Sequence, residues 1–146
     1  ILDHLQDPGN LGTIMRAAEA AGVTGILMSS DCVDIYNPKT IRSTMGALYR
    51  VPFVVSEDFT GDIERLKKAG VSTYAAHLGA TISYEGADYK KPCAFMIGNE
   101  ANGLSDEVAA LADCKILIPM AGQVESLNAA MAATVLMFEA ARQRRN

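Results

Sequence analysis

Tryptophan is absent, histidine occurs only as His4 and His77, and cysteine only as Cys32, Cys93 and Cys114. Three widely spaced cysteines with no CxxC pair make neither a disulfide framework nor a cysteine-rich zinc site, so a reducing cytoplasm is the expected compartment. Two histidines without a carboxylate cluster give no basis for a metal centre, and none is expected. No G-x-G-x-x-G opens a helix and no G-x-x-x-x-G-K-[ST] is present, which disfavours dinucleotide-fingerprint and P-loop readings. The longest nearly uncharged run, Ala129 to Phe138, is too short to cross a bilayer and ends at Glu139, and the first residues do not read as a secretory signal. Positive charge is scarce as well: 13 Lys+Arg face 17 Asp+Glu, a net charge of -4. Indiscriminate grip on a phosphate backbone is therefore not expected. Any nucleic-acid site must be local, as at Lys39, Arg42 and Arg50, or lie on a segment outside this chain. The second basic cluster, Arg142, Arg144 and Arg145, equally suits a helix C-terminus.

What remains is an apolar-rich chain of 146 residues, 49% hydrophobic, the size of one compact domain. Its pattern alternates strands with helices. Ile1 to Leu5 reads as the end of a strand, and Asp7-Pro8-Gly9-Asn10 as a turn in which Asn10 caps a helix running to about Ala21, with Gly22 at C′. A strand is predicted at Ile26 to Met28, and a helix from Asn37-Pro38 through Arg42 or Met45. A second strand follows over Val51 to Val55, weakened at Pro52. Next come a helix over Gly61 to Ala69, a strand over Val71 to Ala76, a loop over Ser83 to Pro92 and a buried strand over Cys93 to Ile97. Ser105 caps a helix with Asp106 and Glu107 in its first turn, Lys115 to Ile118 is a strand stopped by Pro119, and the last helix starts near Ser126 and runs to about Arg142. The alternation implies an α/β domain with a mostly parallel sheet and helices on both faces. The last helix is apolar or small on every side from Leu127 to Phe138, which calls for cover on more than one side. A second subunit supplies such cover; a central helix packed between sheet and loops is the other reading.

In such a domain ligands sit beyond the carboxyl ends of the strands. Three loops there are rich in turn residues and chemistry: Asp7 to Gly12 leading into Arg16, Gly98 to Gly103, and Ile118 to Asn128. Singly each is ordinary turn composition. Together they supply backbone donors, one carboxylate in Glu100, one guanidinium in Arg16, one hydroxyl in Ser126 and several carboxamides. No histidine base or reactive thiol accompanies them. That inventory suits holding a polar ligand with an apolar body, for a reaction needing little acid–base power.

In order and spacing these segments resemble the catalytic domain of SpoU-type (TrmH-like) RNA ribose 2′-O-methyltransferases of the SPOUT class. The resemblance is carried by Asn10 with Arg16 six residues later, by Phe95-Met96-Ile97-Gly98-Asn99-Glu100 through Gly103-Leu104, and by Ile118-Pro119-Met120 through Ser126-Leu127-Asn128 to Phe138-Glu139-Ala140. Arg42-Ser43-Thr44-Met45-Gly46-Ala47 adds to it. The match covers essentially residues 1–146 as one SPOUT domain. It implies a deep C-terminal trefoil knot, a homodimer, and S-adenosyl-L-methionine as cofactor. Cofactor contacts are then expected from His77, Leu78, Ile97, Gly98, Asn99, Ile118, Met120, Ser126 and Leu127, with Gly98 admitting the ligand close to the backbone. Catalysis is expected from Asn10, Arg16, Glu100, Ser126 and Asn128, with Glu100 positioning Arg16 of the same or the other subunit. RNA is expected at Arg16, Lys39, Arg42 and Arg50. Ribosomal RNA is favoured over transfer RNA, and a catalytically silent RNA-binding relative is the alternative. The chain opens inside a strand without Met, so it reads as a fragment or a chain with its beginning missing. An N-terminal RNA-binding domain is the candidate for the missing part.

Overall fold

A computed structural model of the chain describes residues 1–145. Every strand pairing is parallel, as the alternating pattern predicts. β1 (Ile26–Ser29) pairs with β2 (Phe53–Ser56). In the larger sheet β3 (Ser72–Ala76) lies between β5 (Cys93–Met96) and β6 (Cys114–Leu117), and the two-residue β4 (Ile82–Ser83) lies outside β6. Leu2 joins the two sheets. It bridges Met28 on one side and Ile97 on the other, with the Leu2 amide on Leu27 O (2.8 Å) and the Asp3 amide on Ile97 O (2.9 Å).

Helices cover both faces. α1 (Pro8–Ala21) packs against α2 (Pro38–Thr44) and α5 (Ala129–Arg144); Leu11, Ile14, Met15 and Ala18 meet Ala133, Leu136 and Ala140 in the main core. α3 (Phe59–Lys68) and α4 (Asp106–Ala110) cover a second core of Ile63, Ala75, Met96, Leu104 and Val108. The α1–α2 contact is close because Gly12 has no side chain: a Cβ there would lie 2.3 Å from Ser43 Cβ and 2.7 Å from Thr40 O.

Several local expectations shift. α1 is capped by Asp7, whose carboxylate accepts from Asn10 N, and Pro8 occupies the first helical position. Asn10 therefore sits inside the first turn, its side chain released for tertiary contact. α3 starts at Phe59 under an Asp58 cap, and α5 at Ala129 under an Asn128 cap, rather than at Gly61 and Ser126. The stretch read as a loop after Ser83 holds a 3-10 turn (Tyr84–Gly86) and the buried Tyr89, which packs edge-on against Tyr74 and Phe95. Only Leu2 of the opening segment pairs as a strand; His4 takes left-handed backbone (φ 55°).

Candidate active site

Parallel strands deliver all their carboxyl ends to one edge. Because β3 lies between β5 and β6, residues 77–78, 97–99 and 118–120 emerge there as neighbours. The His77 amide donates to Ile116 O (3.0 Å), and its ring Nδ1 accepts from Gly79 N (3.0 Å), which folds a tight turn. That turn leaves Leu78 exposed, and Leu127 is exposed as well. Ile118 and Met120 are half-buried.

The three loops are tied together by one carboxylate and two carboxamides. Glu100 accepts from the amides of Asp7 (2.9 Å) and Gln6 (3.1 Å) and from Asn10 Nδ2 (3.2 Å). Asn10 Oδ1 in turn accepts from Asn128 Nδ2 (3.0 Å), and Asn128 Oδ1 caps α5 through Ala130 N and Met131 N. Residues 90 and 118 positions apart in sequence thus form one chain of hydrogen bonds. Gln6, Asp7, Asn10, Asn99, Glu100 and Asn128 line a single open cavity of about 550 Å³. Partial burial pushes the Glu100 pKa up. The amides of Asp7, Gln6 and Glu100 itself, with the Asn10 carboxamide, outweigh it and hold Glu100 below the ordinary carboxylate value. The carboxylate is therefore ionised and acts as an acceptor hub.

Asn99 shapes its own loop. Its Oδ1 accepts from Ala101 N and Asn102 N, and its Nδ2 donates to His4 O (2.9 Å). Gly98 is required here for a reason other than ligand access: a Cβ would lie 2.0 Å from Gly103 C and 2.1 Å from Leu104 N, where the loop folds back on itself.

The remaining candidates stand apart. Arg16 is exposed and, among the described residues, makes no ion pair or hydrogen bond. It follows Asn10 by six residues on α1, roughly 9 Å along the axis and about a third of a turn round. The expected contact between Glu100 and Arg16 is accordingly missing within the chain. Ser126 is exposed, outside α5, and makes no hydrogen bond among the described residues. Lys39 lies against Gly9 at the start of α1, its Cε 3.6 Å from where a Gly9 Cβ would stand. Arg42 is exposed in the last turn of α2. Arg50 is committed elsewhere: its guanidinium grips both carboxylate oxygens of Glu19 and reaches Met45 O. Sequence reasoning missed Gln6 and Asp7 as partners of Glu100. The Asp7-Pro8 pair was a usable signal for the helix start, but backbone amides offered to a distant carboxylate leave no mark in a local pattern.

The profile of the SpoU rRNA Methylase family matches residues 1–138. The chain belongs to that family. It is 41% identical over 143 residues to an uncharacterised tRNA/rRNA methyltransferase of Synechocystis, covering 98% of this chain and 52% of the relative. It is 35% identical over 138 residues to the 23S rRNA (guanosine(2553)-2′-O)-methyltransferase of Bacillus subtilis, covering 94% and 55%. Among solved structures it superimposes with a TM-score of 0.90 on the SpoU methyltransferase AviRb of Streptomyces viridochromogenes in complex with AdoMet. That match has 36% identity and covers 99% of this chain and 59% of the other. The chain spans about half the length of the curated relatives it matches. The family and the parallel α/β fold inferred from the motifs are thus borne out.

Proposed function

We propose that this chain is the catalytic domain of an S-adenosyl-L-methionine-dependent RNA ribose 2′-O-methyltransferase acting on ribosomal RNA. The observation that carries the reading is the hydrogen-bonded chain Glu100–Asn10–Asn128, which closes the three family motifs around one cavity beside the carboxyl edge of the sheet. The AdoMet-bound neighbour and the 23S rRNA-modifying relative support the cofactor and the substrate class.

The edge fits such a cofactor chemically. Exposed Leu78 and Leu127 with half-buried Ile118 and Met120 offer apolar surface for an adenine, and the strand-end backbone at 77–78, 97–99 and 118–120 offers polar groups for its edges and for the ribose. The cofactor supplies a methyl group on an already activated sulfonium. What this chain must add is alignment and help for a weakly acidic hydroxyl. Asn10, fixed by Glu100 and Asn128, orients the RNA at the cavity mouth. Arg16 is a poor base at any working pH; its unpaired guanidinium is suited to hold a backbone phosphate and to stabilise negative charge developing on the 2′ oxygen. Lys39 at the α1 N-terminus and exposed Arg42 extend that positive surface along α2.

A homodimer belongs to the same proposal. Met131 and Phe138 are seven residues apart, so they lie on one side of α5, and both are exposed. The opposite side, with Ala130, Ala133, Leu136 and Ala140, is buried. We propose that a second copy covers this stripe and supplies the Arg16 that the cavity does not receive from its own chain. A knotted C-terminus is proposed as well. β6 lies between β3 and β4, whose 77–81 connection crosses the exit of β6, and this supports a threading of the last segment. A reducing cytoplasm is our proposed compartment, in keeping with three free cysteines.

Calorimetric titration with S-adenosylhomocysteine tests the reading without RNA. One site per subunit, abolished by Leu127→Asp in a folded protein, is the expected result. No binding by the folded protein would contradict it. Transfer of labelled methyl to ribosomal RNA then separates an enzyme from a silent binder.

A further inference from the structure

His4 lies outside the family motifs, yet both of its ring nitrogens are engaged by carboxylates. Its Nδ1 is 2.8 Å from Asp3 Oδ1, and its Nε2 contacts Asp31 Oδ2. Asp3 is buried, and its second oxygen accepts from both the amide (2.9 Å) and the hydroxyl (2.8 Å) of Ser105, the cap of α4. Asp31 belongs to the turn after β1, and its other oxygen accepts from Ser29 Oγ (2.6 Å). Ser29 Oγ also accepts from the His4 amide (2.9 Å). The His4 carbonyl accepts from Asn99 Nδ2 (2.9 Å), the residue before Glu100.

A neutral imidazole has one N–H and one lone pair. Here both ring nitrogens face carboxylates, which only accept, so a neutral ring would set a lone pair against a carboxylate oxygen. The imidazolium alone satisfies both. The titratable groups facing His4 are Asp3 from its own segment and Asp31 from the turn after β1, with the Cys32 thiol on Ser29 Oγ behind them (3.4 Å). Among the described residues no lysine or arginine pairs with either aspartate, so His4 is their only cationic partner. Left-handed backbone at this position suits histidine better than most side chains.

We propose that His4 is a positioning residue: as an imidazolium it clamps the turn after β1 and the start of α4 to the strand end whose carbonyl holds the Asn99–Glu100 loop. This rests on the reading of that loop as part of the methyl-transfer site. The hydrogen bond to Asp3, and the charges of Asp31 and Asp3, raise the His4 pKa against the smaller effect of burial. A raised folded value means that the clamp's stabilisation is complete below the ordinary 6.5 and is lost as pH rises through the folded midpoint.

Nuclear magnetic resonance titration of the free protein tests this with neither cofactor nor RNA, so failure of the enzymatic reading leaves it decidable. The His4 ring is expected to titrate above 6.5, and the Asn99 side-chain amide and Ser105 amide to follow with the same midpoint. In His4→Asn, which tolerates the left-handed backbone, those two responses should vanish. Asp31→Asn, on an exposed turn, should lower the His4 midpoint measurably. A His4 midpoint at or below 6.5, an Asp31→Asn midpoint that does not move, or Asn99 and Ser105 responses that persist in His4→Asn would each overturn the proposal.

Discussion

Two groups of motif residues differ in how far the chain itself satisfies them. Glu100, Asn10 and Asn128 are bonded to one another and to the backbone of residues 6–7, and each carboxylate or carboxamide has a partner at hydrogen-bonding distance. Among the described residues Arg16 makes no ion pair or hydrogen bond, and Met131 and Phe138 on α5 are exposed. The first group holds its geometry before any ligand arrives. The second consists of a charge and an apolar face left open to water. A pre-bonded network of the first kind is what positions reacting groups; surfaces of the second kind are what other molecules bind. On this account the site is half built within one chain.

The largest effect is expected where the network's scaffold is broken. Gly98→Ala forces a Cβ into the Gly103–Leu104 backbone and should cost about 3 kcal/mol, read as a large drop in Tm or failure to fold. Arg16→Ala should be its opposite: Tm and S-adenosylhomocysteine affinity unchanged, methyl transfer down roughly a hundredfold or more, because a charge aimed at the transition state is removed without loss of any internal contact. Phe138→Glu combined with Met131→Glu should turn a dimer into a monomer by sedimentation while leaving the circular dichroism spectrum intact. Asn128→Ala removes a helix cap and the support of Asn10, and about 1 kcal/mol should be lost on denaturant unfolding.

The smallest effect is in pH. Glu100 is held below its ordinary value, so its contribution is present above about 4.5 and fades as pH falls through the lower folded value. The Tm gap between the native protein and Glu100→Gln should therefore be widest near neutrality and close in acid. A gap that widened in acid would contradict the hub role.

The fold was legible to a large extent, because alternating apolar runs and helical stretches dictate a mostly parallel sheet once βαβ units repeat, and the pairings between β1–β6 are parallel. Helix starts were misplaced at Asn10, Gly61 and Ser126 because several capping residues compete within a few positions, and tertiary bonds decide among them. At Asn10 the side chain goes to Glu100 and Asn128 and the cap falls to Asp7. The site residues were legible as motifs, yet their pairings were not. Glu100 was expected to position Arg16 of the same or the other subunit; within one chain it is found on backbone amides, because contacts across ninety residues have no local signature. Arg50 looked like RNA-facing charge until Glu19 appeared opposite it. The His4 clamp was invisible for the same reason, since Asp31 and Ser105 meet it only in the folded chain.

Mixing subunits tests the half-built site most directly. Arg16→Ala and Glu100→Ala proteins, each inactive alone, are denatured together, refolded and assayed for labelled methyl transfer to ribosomal RNA. If one chain's network works with the other chain's guanidinium, the heterodimer contains one intact site and activity returns to a substantial fraction of the native value. If each chain completes its own site, every site in the mixture carries a lesion, and activity stays at the level of the separate variants.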